Sequence, residues 1–471
     1  MKIAVIGGGL AGLTTAISLA RYGYEVHVYH IGGYSGSSSY RIQAGIAMAL
    51  SPNDSLELHV YDTLSVGRFL NDVERVWFTL SKASEAYDFL SKLGFSFESI
   101  ELEAGHSVAR TYSVKGATGI YLMEKLYSVA REEGIMFVEK EIASLITSDR
   151  VCLGFIDHSG NEYFYDVVVI ATGGYTALYK YFTGSPNTLG WLIGDYILHG
   201  GTIYDPEFIQ FHPTTYVSEK ETLLLTEALR GRGARIIDEN NERFVDELAP
   251  RDIVSRKIYE KLLEGVKVYL DLTVIKDLPE RFPRVYEALR KEGIDPLNKP
   301  VPITPAAHYS IGGISVDLYY RSEFKNLYVV GEATGSGLHG ANRLAGNSGL
   351  ECIVSGLETA KTIHRDKPRL EKTSSYRTFY EPDYSIGDLG RLRDLMWGLA
   401  GIIRDASSLK KLLEEIDSLN IPRQLNILVK AIISCAYTRR ESRGVHYRRD
   451  YPYMRSEFKR RSRYRIDKCI I

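Results

Sequence analysis

Cysteine is scarce in this chain: Cys152, Cys352, Cys435 and Cys469 stand among 471 residues, with no CxxC pair and no cysteine–histidine spacing of the kind that holds zinc. That scarcity predicts neither a metal site nor a disulfide framework, and it suits a reducing cytoplasm. Glutamine is rarer still, with Gln43, Gln210 and Gln424 alone. Few thermolabile amides beside many charged side chains point to a thermophilic protein. No stretch approaches the roughly eighteen apolar residues that cross a bilayer, and no leader with a charged start and an apolar run precedes the first apolar segment. A soluble, unexported, cytoplasmic chain without a membrane partner is therefore expected. Charge of one sign is missing too: 58 basic residues balance 59 acidic ones, so nothing calls for nucleic acid.

What is present begins at the first residues. The length exceeds what a single core serves, which predicts a large domain with one or two smaller ones. The opening KIAVIGGGLAGLTTAISLARYGYEVHVYH reads as a buried strand at 3–6, a glycine turn, an amphipathic helix and a second strand at 25–29. This is a βαβ dinucleotide fingerprint. Gly7 permits the tight turn, Gly9 lets backbone approach a pyrophosphate, and Gly12 allows close helix packing. Gly8, Leu10 and Ala11 complete the turn and the helix start, whose free N–H groups suit an anion. One local rule fails: the second strand ends in Tyr29 and His30, where an acid would hold a ribose.

Later segments carry a resemblance. In order they are SSSYRIQAG (37–45), ATGGY (171–175), FIQFHPTTY (208–216), LLTEALRGRGARIID (224–238), ELAPRDIVSRKI (247–258), AAHYSIGGISVD (306–317) and LYVVGEATGSGLHGANRLAGNSGLECIVSG (327–356). This set resembles the fumarate reductase and succinate dehydrogenase flavoprotein superfamily. The resemblance implies an α/β fold with a split Rossmann-like FAD-binding domain, at about 1–205 and 310–379. A capping α+β domain is inserted at about 206–309, and a short helical domain follows at about 380–471. It also implies FAD as cofactor. Ser38 stands where many members carry a flavin-bonded histidine, so the FAD is expected to be non-covalent. Further cofactor contacts carried over are His30, Ser39, Gln43, Ala44, Gly45, Ala171, Thr172, Gly173, Glu332, Asn347, Ser348 and Gly349. One departure is plain: the family's GDG aspartate falls at Trp191, and the nearby Gly194-Asp195 does not align, so that contact has no assigned residue.

The same resemblance implies a dicarboxylate site beside the flavin. Arg343 clamps one carboxylate, His212 with Thr226 holds the other, and Gln210 and His308 donate hydrogen bonds. Arg251 matches the proton-transferring arginine, with Glu227 and Arg230 as its relay. The loop ELEAGHS (101–107) resembles that of L-aspartate oxidases, and Glu103 is expected to meet a substrate ammonium. A carboxylate in a diacid pocket penalises succinate and favours aspartate. The reaction implied is oxidation of L-aspartate to iminoaspartate, with dioxygen or fumarate accepting the electrons and quinolinate synthase as the functional partner in NAD biosynthesis. The alternatives are a flavoprotein subunit of a fumarate reductase or succinate dehydrogenase, and an inactive FAD-binding module.

The remaining expectations concern organisation. Residues 53–118 read as a largely helical insertion, and helices are expected at 392–404, 407–419 and 423–439. The arginine-rich tail, including Arg448, Arg449, Arg460 and Arg461, reads as a solvated face or as intramolecular ion pairs rather than a nucleic-acid patch.

Overall fold

The computed structural model describes residues 1–471 apart from 115, 219–221, 371–374, 383–385 and 467. Strand β1 (Lys2–Ile6), helix α1 (Leu10–Arg21) and strand β2 (Glu25–His30) form the predicted unit. Strands Val167–Ile170 and Leu327–Val329 extend the sheet beyond β1, and Met136–Glu139 extends it beyond β2. Every pairing is parallel. Parallel strands bury both faces, which is why their sequences are continuous apolar runs. Ile3 and Val5 of β1 pack into one cluster with α1, while Ala4 and Ile6 join another that includes Leu145 and Phe155 of an antiparallel sheet on the opposite face. Gly12 makes the packing possible, since a Cβ there would stand 1.9 Å from the Gly7 carbonyl oxygen.

The segment after β2 is helical in its first part only. Helices α2 (Leu56–Val66), α3 (Val73–Leu80) and α4 (Ala83–Lys92) give way to the paired strands Ser99–Glu101 and Thr111–Ser113. Ser55 and Asp72 cap α2 and α3 by accepting the Leu58 and Arg75 N–H groups. Helix α5 (Thr118–Glu132) then packs beside α1, and α6 (Trp191–Leu198) lies against the antiparallel sheet.

Strand Ile209–Val217 leads away from this body and strand Thr304–Ser310 leads back, the two paired antiparallel. Between them, α7 (Glu227–Gly231), α8 (Arg251–Leu263), α9 (Leu278–Arg281) and α10 (Pro283–Lys291) surround the sheet of Arg235–Asp238, Val268–Asp271 and Val301–Pro302. This segment has its own apolar cluster, containing Leu225, Val254, Ile258 and Leu270. After the return, α11 (Asn347–Asp366) packs along α1. Helices α12 (Leu389–Ala400), α13 (Ala406–Glu415) and α14 (Arg423–Thr438) complete the helical part, each shorter than the sequence reading. None of the described helices is long and apolar enough to cross a membrane.

The tail holds a strand hairpin and a disulfide that the sequence reading lacked, and several of its arginines form the intramolecular ion pairs that reading named. Strands Arg463–Arg465 and Lys468–Ile470 form a hairpin that joins the small sheet of Ile203–Tyr204 and Gly313–Ile314. The arginines turn inward: Arg439 pairs with Glu207 and Glu441, Arg448 with Asp450, and Arg461 with Asp205. Arg449 and Arg460 are exposed. The expectation that no disulfide forms is corrected, because Cys435 and Cys469 are bonded. Spacing rules see only neighbouring cysteines, whereas α14 and the terminal hairpin bring these two together across 34 residues of sequence. Closing a loop of that length lowers the entropy of the unfolded chain. Cys435→Ser is therefore expected to cost about 3–4 kcal/mol. Denaturant midpoints should show reductant lowering the parent's stability and leaving the variant's unchanged.

Candidate active site

Two cavities meet inside the molecule. The first, about 210 Å³, passes the N-terminus of α1 and is lined by Gly7, Gly8, Gly9, Leu10, Ala11, His30, Ala171, Thr172 and Gly173. The second, about 140 Å³, lies under the segment 209–310 and is lined by Gln43, Ala44, Gly45, Glu103, His212, Thr226, Glu227, Arg251, His308, Arg343, Ser348 and Gly349. Ser38, Ser39 and Glu332 line both. A pair of adjoining cavities that begins at a glycine turn and a helix N-terminus suits a dinucleotide. Its chemistry also fits. The buried Thr172 hydroxyl and Gln43 amide oxygen have no partner within the protein. Glu332 Oε1 accepts from the Ser310 N–H and hydroxyl, both at 2.9 Å, and neither bond uses Oε2. Burial raises the pKa of this carboxyl to about 7, so hydroxyl donors from a ligand would relieve its desolvation.

Gly12, Asn347, Gln210 and Arg230, all given roles by the sequence reading, stand outside the walls of these two cavities. Gly12 is a packing position only. Asn347 is committed elsewhere: its Oδ1 lies 2.8 Å from His59 Nε2, and its Nδ2 donates to Thr63 Oγ1 at 2.9 Å. Gln210 is fully buried, and its amide is used on every side. Nε2 donates to Asn342 Oδ1 and the Arg343 carbonyl, while Oε1 accepts from Arg251 Nη1 and Arg343 Nε, both at 3.2 Å. Gln210 therefore holds two arginines in place and keeps no donor for a ligand. The position without an assignment, Trp191, lines the first cavity, whereas Asp195 is buried against the Leu145 N–H.

The second cavity is cationic by construction. Arg343, at the end of the glycine-rich stretch before α11, donates from Nη1 to Ser348 Oγ at 3.0 Å and lies over the Tyr309 ring. Burial, and secondarily Arg251, lowers its pKa to about 10. Two guanidiniums joined through one amide oxygen repel each other, and an anionic ligand removes that repulsion. Arg251 opens α8 and donates from Nε to Glu227 Oε2 at 2.7 Å. Burial opposes ionisation of Glu227, but Arg251 and Arg230 outweigh it and hold the carboxyl below its usual range. His212 and His308 face each other, with ring centroids 5.3 Å apart. Burial first, and then the nearby arginines, keep both imidazoles well below 6.5, so they are neutral hydrogen-bonding groups. His308 Nδ1 is 2.7 Å from Thr183 Oγ1.

Strand alternation predicts that His308 and Tyr309 face opposite ways, yet both line the cavity. The register explains it: Phe211 pairs with Ala307 and Gln210 with Tyr309, which leaves His308 in a bulge. Tyr309, Thr183 and Arg41 were not singled out in the sequence. Tyr309, beside His308 in its motif, and Arg41, within SSSYRIQAG, carried a usable signal, and Thr183 did not.

Glu103 completes the wall. It is 7% exposed, its Oε2 has no hydrogen-bond partner, and burial followed by repulsion from Glu227 raises its pKa to about 7. A buried, unpaired carboxyl among arginines is costly unless a ligand brings a cationic donor.

Comparison with known proteins agrees with this architecture. A family described as FAD binding domain matches residues 2–348, and one described as fumarate reductase flavoprotein C-term matches 422–468. Among solved structures, a quinol-fumarate reductase with menaquinol molecules superposes with TM-score 0.89 at 24% identity, covering 98% of this chain and 95% of that one. The L-aspartate oxidase of Pyrococcus furiosus is 48% identical over 472 residues, covering 100% of both chains. That of Saccharolobus solfataricus is 38% identical over 473 residues, covering 96% of each. The chain belongs to the L-aspartate oxidase family of FAD-binding flavoproteins.

Proposed function

We propose that this protein oxidises L-aspartate to iminoaspartate, with dioxygen or fumarate as electron acceptor. The observation that carries this reading is Glu103, whose buried, unpartnered carboxyl lines the same cavity as Arg251 and Arg343. A succinate-type site has no use for that acid, whereas an amino diacid supplies its ammonium partner. The names of the full-length relatives support the same substrate. Ser38, which lacks the imidazole of a flavin-bonded histidine, accepts the Ser185 N–H at 2.9 Å, which supports a non-covalent cofactor.

In this reading Arg343 grips one carboxylate with its planar fork, and His212 with Thr226 holds the other. Glu103 orients the amine, so the carbon that bears it faces the cofactor. FAD, when bound, supplies the hydride acceptor. Arg251 can accept the proton lost from the amine only as its own guanidinium gives one to Glu227, whose carboxylate contacts both Arg251 and Arg230 and keeps the guanidinium aimed into the cavity. The segment 206–309 excludes water from the site. The product suits quinolinate synthesis in the cytoplasm, with quinolinate synthase as the enzyme that consumes it.

The test is a substrate profile of the isolated holoenzyme. Peroxide is expected with L-aspartate and none with succinate, and the reverse preference overturns the reading in favour of a fumarate reductase or succinate dehydrogenase subunit. A pH profile adds a second check. The ammonium needs Glu103 ionised, so kcat/KM for aspartate should rise with pH through about 7. Fumarate reduction, which offers Glu103 no cation, should lack that rise.

A further inference from the structure

The loop 102–110, between Ser99–Glu101 and Thr111–Ser113, carries Glu103 into the cavity and then enters a buried polar network. Arg110, with no exposed surface, donates from Nε and Nη2 to the two oxygens of Asp54, both at 2.8 Å, and from Nη1 to Asp62 Oδ2 at 2.6 Å. Asp62, on α2, also accepts from the Ser107 N–H at 2.8 Å and hydroxyl at 2.5 Å. His106 lies between this pair and the other side of the site: Nε2 is 2.9 Å from the Ala345 carbonyl oxygen and Nδ1 is 3.2 Å from Arg110 Nη1.

An arginine only donates and a carbonyl only accepts, so the partners define the tautomer. The proton is on Nε2 and the lone pair on Nδ1. His106 thus bonds the loop that bears Glu103 to the segment that bears Arg343. Neither it nor Arg110 nor Asp62 lines either cavity.

We propose that His106, oriented by the Arg110–Asp62 ion pair, is a positioning residue that sets the separation of Glu103 from Arg343 and so the preference for a diacid bearing an amine. The proposal rests on the aspartate reading given above. Without the imidazole, the Ala345 carbonyl and an Arg110 N–H lose their partners and the loop its anchor to Arg343. Misplacement of a binding group by about 1 Å is worth up to a hundredfold in rate.

The experiment uses FAD-loaded enzyme and compares L-aspartate oxidation with fumarate reduction. His106→Leu should lower kcat/KM for aspartate by about ten- to a hundredfold, with fumarate reduction changed by less than about threefold. His106→Gln, which retains an amide donor for Ala345, should recover most of the loss. In a Glu103→Gln background, His106→Leu should cost no further aspartate activity, because the group it positions is already discharged. Equal losses on both substrates, or a fully additive loss in that background, overturn the proposal. Should His106→Leu fail to fold, Asp62→Asn carries the same expectations, since it weakens the pair and leaves the imidazole. A Glu103→Gln variant with no selective effect overturns the aspartate reading itself, whereas a selective Glu103→Gln beside a non-selective His106→Leu overturns this inference alone.

Discussion

Replacing Arg343 with Leu is expected to lower kcat/KM about a thousandfold for both L-aspartate oxidation and fumarate reduction, equivalent to about 4 kcal/mol of lost binding to a buried carboxylate. Both reactions suffer because both ligands bring the same pair of carboxylates. The loss is larger than that of a surface ion pair, because Arg343 is only 6% exposed and no water replaces it. Removing it also leaves Gln210 Oε1 with Arg251 as its one remaining cationic donor. Arg343→Lys should recover little, because a point charge cannot both donate to Gln210 and grip a carboxylate with two parallel bonds. Steady-state kinetics with flavin content measured by absorbance checks this. Full activity of Arg343→Leu on either substrate would show that the carboxylate is held elsewhere in the cavity.

Glu103→Gln should divide the two activities. Aspartate oxidation is expected to fall about ten- to a hundredfold, the range of a hydrogen bond to a charged partner. Fumarate reduction should change by less than about threefold or improve, since the substitution removes a negative charge from a site built around Arg251 and Arg343. The rise of aspartate kcat/KM through pH about 7 should vanish in this variant. Equal losses on both ligands would reduce Glu103 to a shaping role in the loop.

Much of the scaffold was legible from the chain alone. The turn at Gly7–Gly9 and the helix after it follow from local stereochemistry, and the parallel sheet from apolar runs too continuous for a half-exposed strand. The cationic and hydrogen-bonding site residues were legible as motifs, and the structure brings Arg251, Arg343, His212 and His308 to one cavity. The motif could not show that the Gln210 amide is bonded within the protein on every side, because a motif names residues without saying which way an amide is already bonded. Asn347 begins α11 as expected, and its side chain is bonded to α2. The Cys435–Cys469 bond was invisible, since nothing local to either cysteine indicates the other.

The sequence by itself determined the nucleotide fold and the kinds of charge at the site, because glycine geometry, apolar periodicity and side-chain chemistry act over a few residues. Only the tertiary structure decided that Glu103 stands in one cavity with Arg343, that Gln210 has no hydrogen-bonding capacity left, and that a histidine links the two sides of the site. These depend on which distant segments exclude water from each other, and desolvation is a property of that packing.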